Sequence, residues 1–247
     1  MTSEILLYAA IGFVAQLVDG ALGMAFGVIS TSVLLLFGVP PAAASASVHA
    51  AEVVTTALSG LSHWFHGNVD KRLFWRLAGA GIVGGALGAY VLTELPVKFA
   101  QPAVAIYLCA MAGLIVYKAF RKRPVVPVTA GVAPLGFAGG FLDAIGGGGW
   151  GPIVVSNLVA RGNSPRHTIG TVNLAEFFVT LAISIAFFFT VAPTYFLTAA
   201  GLILGGALAA PLAGWMTKRL PTRLLMVLVG VVVLTLGAIG LVRLAMS

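Results

Sequence analysis

Apolar residues run in blocks of about twenty along the whole chain, separated by short polar punctuation, a pattern that predicts a series of membrane-spanning helices. The first block, residues 5–37, is broken in the middle by Asp19, Gly20 and Gly23. Its first piece is about fourteen residues, about 21 Å of helix at 1.5 Å per residue, which falls short of the roughly 30 Å hydrocarbon core. An uncharged loop at Gly38–Pro41 follows, then a stretch from Ala42 to Phe65 long enough to cross. Trp64, Phe65 and Trp75 flank the loop His66–Arg76 as interfacial anchors do, and Trp75–Thr93 and Ala100–Tyr117 predict two further spans. The second half repeats the pattern: a broken block at Thr129–Ala160, then spans near His167–Phe189, Thr194–Met216 and Leu224–Val242.

The repetition extends to single residues. Asp143 lies 124 positions after Asp19, and the same offset carries Gly136, Phe137, Gly147, Gly151 and Ile153 onto Gly12, Phe13, Gly23, Gly27 and Ile29. It also carries Glu176 onto Glu52, and Gly162, Pro165, Val172, Ala175 and Thr180 onto Gly38, Pro41, Val48, Ala51 and Thr56. The chain is an internal duplication: a first repeat at residues 1–123, a linker at 124–130 and a second repeat at 131–247.

Composition narrows the class. The 247 residues are 60% hydrophobic and 9% charged, with a mean hydropathy of +1.05, against roughly a quarter charged in soluble domains. No stretch is left for a separate soluble domain. The net charge of +7 sits in short loops beside apolar runs with no basic face laced with aromatics, which excludes nucleic acid as a partner and reads as a topology signal. The single Cys109 reads as packing, and the N-terminal stretch, without the basic start and cleavage site of a signal peptide, reads as retained.

Loop charge then sets orientation. His66–Arg76 and Lys118–Arg123 are basic, whereas Gly38–Pro41 carries no charge and Glu94–Lys98 no net charge. In the second half the bias reverses: Arg161–His167 and Lys218–Arg223 are basic, while Thr190–Tyr195 is uncharged. Basic loops stay cytoplasmic, so the halves are expected to lie in opposite orientations, the inverted repeat of many secondary transporters. Since the loops on both sides of the second broken block are basic, that block enters and returns on one side. The expected fold is an all-α polytopic membrane protein of two inverted repeats, each a re-entrant or broken helical hairpin plus three transmembrane helices, about eight membrane segments in total. Eight ordinary spans, with glycines used only for packing, is the other arrangement the pattern allows.

The candidate chemistry lies at the breaks. Non-helical backbone within a membrane persists only where protein or a water-filled cavity satisfies it, and a helix that starts at such a break offers free N–H groups and a positive dipole end to an anion. Gly20, Gly23 and the run Gly146, Gly147, Gly148 and Gly149 are the candidate binding backbone; close helix packing is the alternative, and it suits Gly81, Gly85, Gly88 and Gly205. Asp19, Asp143, Glu52 and Glu176 are acids at membrane depth without a basic partner in any span. The aspartates suit capping of freed N–H groups, and the glutamates suit either proton coupling or a structural hydrogen bond. Ser45, His49, Glu52, Thr56 and His63 share one helix face, as do Asn173, Glu176, Thr180 and Ser184, so two polar stripes could line a path. His49 is either a titrating partner of an anion or of Glu52, or a core histidine. His49 with Glu52 has the spacing of a carboxylate metal site, but Asn173 replaces the histidine in the second copy and no catalytic motif occurs, so neither metal, cofactor nor enzyme activity is expected.

The segments LVDGALGMAFGV and FLDAIGGGGWGPIV, each followed by a short Pro-containing loop and a polar span (PPAAASASVHAAEVVTT and SPRHTIGTVNLAEFFVT), resemble the sulfite exporter TauE/SafE family over nearly the whole chain. The resemblance implies a multi-pass secondary transporter of the bacterial cytoplasmic (inner) membrane, embedded in lipid, that exports sulfite, thiosulfate or a small organosulfonate, driven by protons. Hairpin N–H groups would hold the oxyanion, Ser45, His49, Thr171 and Asn173 would add donors, and Glu52 and Glu176 would carry the proton. An uncoupled small-anion channel and a transporter of a non-sulfur organic anion are the alternatives, and a homodimer is compatible with the sequence. Met24, Ala25 and Phe26 stand where the second copy has Gly148, Gly149 and Trp150, so the two sites are expected to be unequal.

Overall fold

A computed structural model of the protein describes residues 2–120, 130–191, 195–217 and 222–246. Its elements are all helical: α1 (Thr2–Leu22), α2 (Phe26–Leu36), α3 (Pro41–Phe65), α4 (Lys71–Glu94), α5 (Val97–Ala119), α6 (Val132–Gly146), a π-helical turn (Gly151–Val155) leading into α7 (Ser156–Ala160), then α8 (Pro165–Thr190), α9 (Phe196–Thr217) and α10 (Thr222–Met246). Four of these are long and apolar enough to cross a membrane by length and composition, within Lys71–Glu94, Val97–Ala119, His167–Thr190 and Arg223–Met246. Helix α3 is as long, 25 residues, but Ser, His, Glu and Thr interrupt its apolar run. Large apolar side chains such as Phe65, Trp75, Phe188, Phe189 and Leu208 stand exposed on the outer surface, as hydrocarbon contact requires. The chain is a polytopic membrane protein. The expected linker at 124–130 falls, except for Ala130, outside the described residues.

One expectation is corrected. Asp19 and Gly20 do not break the first helix: α1 continues through both to Leu22, and the chain turns at Gly23, whose φ is 67°. With 21 residues α1 is about 31 Å long, not a stub too short to cross. Asp19 stays helical because its side chain reaches forward over the turn to the start of α2, whose 11 residues make only about 16 Å. The second break is sharper. Helix α6 stops at Gly147 with φ 64°, Gly148 follows at φ 145°, and neither conformation suits a residue with a Cβ. Pro152, which has no N–H to donate, then sits in the π-helical turn.

The main packing partners are α1 with α9, α4 with α6, α3 with α8, α4 with α8, and α5 with α10. Two seams rest on glycine. A Cβ on Gly84 or Gly88 would strike the carbonyl oxygens of Phe137 or Phe141 on α6, and one on Gly205 would strike that of Ala9 on α1. Gly81 makes room for the Trp150 ring, 2.7 Å from where a Cβ would sit. Cys109 packs its sulfur 2.6 Å from the equivalent point on Gly237 of α10. Ends of elements also meet. Arg161 Nη1, just after α7, donates to Ala130 O, just before α6, at 2.8 Å, and Arg243 Nη1 on α10 donates to Leu36 O at the end of α2 at 3.2 Å.

Candidate functional site

The two breaks meet at the centre of the molecule and share one design. At the first, Asp19 Oδ1 accepts from Ala25 N at 2.7 Å and from Phe26 N at 3.1 Å. At the second, Asp143 Oδ1 accepts from Trp150 N at 2.9 Å. Trp150 is the counterpart of Phe26, so each copy restarts its helix over its own carboxylate. The N–H groups of Ala25, Phe26 and Trp150 are thus held by a carboxyl group of the same copy, the capping role the aspartates suit. The glycines of the second tip serve close approach as well. Gly148 lies against the backbone of Gly27, the Gly147 carbonyl accepts from Thr31 Oγ1, and the Gly148 carbonyl accepts from Tyr107 OH at 3.1 Å. Gly146 and Gly149 both face Tyr107, which a Cβ at either position would strike.

Next to the tips, Asp19, Glu52, Asp143 and Glu176 line a void of about 10 Å³ together with Met24–Val28, Gly149, Gly151 and Pro152, room for about one water. No lysine or arginine belongs to that lining. Glu52 Oε2 is buried without a hydrogen-bond partner among the described residues. His49, wholly buried, places Nε2 3.2 Å from Asp143 Oδ2 and Nδ1 2.8 Å from Ser45 O, while Ser45 Oγ donates to Ala144 O at 2.6 Å. Ligand-type atoms of His49, Glu52 and Asp143 come within 4.8 Å of one another, but both ring nitrogens of His49 are spent on Ser45 and Asp143.

A larger cavity of about 260 Å³ opens from the first tip toward the end of α3 and the start of α8, lined by Gln16, Asp19, Leu22, Gly23, Thr55, Thr56, Ser59, His63, Ile169 and Asn173. Apart from Asp19 and His63 its polar groups are neutral hydroxyls and amides, and Asn173 Nδ2 donates to Ser59 Oγ at 2.9 Å across it.

The two polar stripes of the sequence thus converge, but not every predicted residue reaches the cavity. Thr171 does not: its hydroxyl donates to His167 O and accepts from Asp70 N at 2.8 Å, tying the start of α4 to α8. Thr171 precedes Asn173 by two residues, and at about 100° per residue that turns it to the opposite side of α8. Ser45 and His49 are wholly buried beside Asp143 rather than at the open cavity. Gly20 lies in the last full turn of α1. Sequence reasoning missed Gln16, Ser59, Thr31 and Tyr107. Ser59 was findable, since 56, 59 and 63 continue the helical spacing of the α3 stripe; Tyr107 was not, because only tertiary packing brings α5 to the tip.

Comparison with known proteins agrees with this architecture. The chain is 41% identical over 250 residues to the probable membrane transporter protein YtnM of Bacillus subtilis (strain 168), covering 97% of this chain and 83% of that one. No solved structure matches. The sulfite exporter TauE/SafE family matches residues 8–239, and by that near-complete coverage the chain belongs to the sulfite exporter TauE/SafE family.

Proposed function

We propose that the protein is a proton-coupled secondary transporter that exports sulfite or a small organosulfur anion across the bacterial cytoplasmic membrane. The observation that carries this reading is the polar cavity ending at the first capped helix break, at Asp19 and Gly23, with a cluster of four carboxylates around the adjoining small void. Neutral hydroxyl and amide donors in a partly dehydrated space suit an oxyanion that must be released again. Four acids around a void of one water, with no lysine or arginine in its lining, make a place where protons are held and passed on.

The inverted repeat is part of the proposal. The packing is that of a two-fold repeat, since exchange of the copies turns the α1 and α9 pair into the α6 and α4 pair and leaves the α3 with α8 and α5 with α10 pairs in place, and the loop charges supply the inversion. The contact between Arg161 and Ala130 fits a second hairpin that returns to the side it entered. With basic loops inside, the cavity opens to the cytoplasm, beside the loop that carries Lys71, Arg72 and Arg76.

The test is counterflow of sulfite, thiosulfate and a C2 organosulfonate in proteoliposomes under an imposed pH gradient, with unaltered protein and Glu176→Gln. Flux that follows the pH gradient and is lost in Glu176→Gln supports the reading. Flux that ignores the gradient makes the protein a uniporter or channel, and no flux of any sulfur anion discards the substrate class.

A further inference from the structure

The duplication allows each residue of the open cavity to be matched to a partner in the other copy. Adding 124 to, or subtracting it from, the ten lining residues gives Gly140, Asp143, Gly146, Gly147, Val179, Thr180, Ile183, Phe187, Ser45 and His49. Every one of these is buried. One copy therefore presents a cavity of about 260 Å³, and the corresponding volume of the other copy is collapsed onto itself. At its centre, where the open side has Asn173 and Asp19, the collapsed side has His49 and Asp143 in contact at 3.2 Å.

The hydrogen bonds fix how many protons that contact holds. The Ser45 carbonyl can only accept, and Ser45 Oγ spends its hydrogen on Ala144 O, so Nδ1 of His49 must carry a hydrogen. Nε2 and Asp143 Oδ2 at 3.2 Å are then joined only if one further proton lies between them, on the imidazole or on the carboxyl. If it leaves to water, a ring lone pair and a carboxylate face each other and the contact is lost. The groups that face the pair are Glu52 on α3, Glu176 on α8, Asp19 on α1 and Tyr107 on α5, all acids or a phenol, with the Phe187 ring 6.3 Å from the imidazole. No cation among them replaces the proton.

We propose that the His49 and Asp143 contact is the closed gate of the second, collapsed cavity, and that loss of its shared proton opens this cavity to the opposite side of the membrane. The proposal rests on the transporter reading above. It assigns a gate residue, His49, whose counterpart Asn173 lies at the open side, so the two gates are chemically unlike: one can share a proton between an imidazole and a carboxyl group, and the other has an amide in place of the imidazole.

Thr56 and Thr180 are equivalent positions, one lining the open cavity and one buried in the closed one. In a Cys109→Ala background, Thr56→Cys and Thr180→Cys are exposed in sealed vesicles to a membrane-impermeant thiol reagent from either side. Thr56→Cys should react from the cytoplasmic side and Thr180→Cys hardly at all. Adding His49→Asn, which makes the closed gate resemble the open one, should raise the reaction of Thr180→Cys about tenfold or more, from the external side, as loss of one charge-assisted hydrogen bond predicts. Where His49→Asn does not fold, the unaltered gate is read across rising pH, normalised to Thr56→Cys; Thr180→Cys should gain relative to it as the shared proton is lost. Thr180→Cys that stays silent in both arms, or that reacts from the same side as Thr56→Cys, overturns the gate. Anion counterflow on the same vesicles separates the two readings: flux with a silent Thr180→Cys removes the gate and leaves the transporter, whereas opening without flux leaves the gate and removes the transporter.

Discussion

Each broken segment restarts as a helix over a carboxylate, Asp19 beneath Ala25 and Phe26 and Asp143 beneath Trp150. At membrane depth those N–H groups have no bulk water to turn to, so the acceptor matters more than its charge. Asp19→Asn keeps an acceptor oxygen and should cost little, whereas Asp19→Ala leaves two donors unpaired and should cost about 1–3 kcal/mol for each donor left dry. Thermal unfolding in detergent checks this. Equal losses in both variants would show that the negative charge, not the cap, is what the tip needs. The same geometry explains why a bulky residue at Gly148 is a poor probe of ligand binding. Its Cβ would collide with the backbone of Gly27, so loss of function there would report a broken tip.

Helix seams obey a different limit, the distance of closest approach between backbones. A Cβ on Gly84 meets a carbonyl oxygen on α6, which cannot swing aside as a side chain can, while Gly113 on α5 has open space around it. Gly84→Ala should therefore abolish a monodisperse peak on size-exclusion chromatography. Gly113→Ala should be tolerated and add up to about 1 kcal/mol through helix propensity. A Gly84→Ala protein that behaves like Gly113→Ala would mean that α4 and α6 are not pressed together. At this scale much was legible in the sequence. Periodicity located α3, α8 and α10, and the offset of 124 located both breaks. The path of the chain between Asp19 and Phe26 was not legible, because whether Gly20 or Gly23 ends α1 is decided by Asp19 reaching forward over the turn, a contact local propensity does not encode. The burial of Ser45 and His49 was equally hidden: their face is correct, but it packs against Ala144 and Asp143 of the second copy rather than lining the open cavity.

For the molecule as a whole, orientation is the property that loop charges predict and packing alone does not test. His66 and Thr190 are exposed and occupy equivalent positions, separated by the offset of 124, at the ends of α3 and α8. If the copies are inverted, His66→Cys should react with an impermeant thiol reagent only from the cytoplasmic side and Thr190→Cys only from outside, again without Cys109. Reaction of both from one side would make the repeats parallel and would remove the membrane geometry on which the cytoplasmic opening of the cavity rests.

The contact of the two tips has a consequence for how the protein is made. Thr31 and Gly27 in the first copy find their partners at Gly147 and Gly148, and His49 finds its own at Asp143. When the first copy enters the bilayer during synthesis, none of those residues yet exists. The early chain must wait in the membrane with a polar histidine and an open notch on α2, and it is complete only when the second copy arrives more than a hundred residues later. The two copies are in this way a single unit of biogenesis, since neither tip is complete without the other.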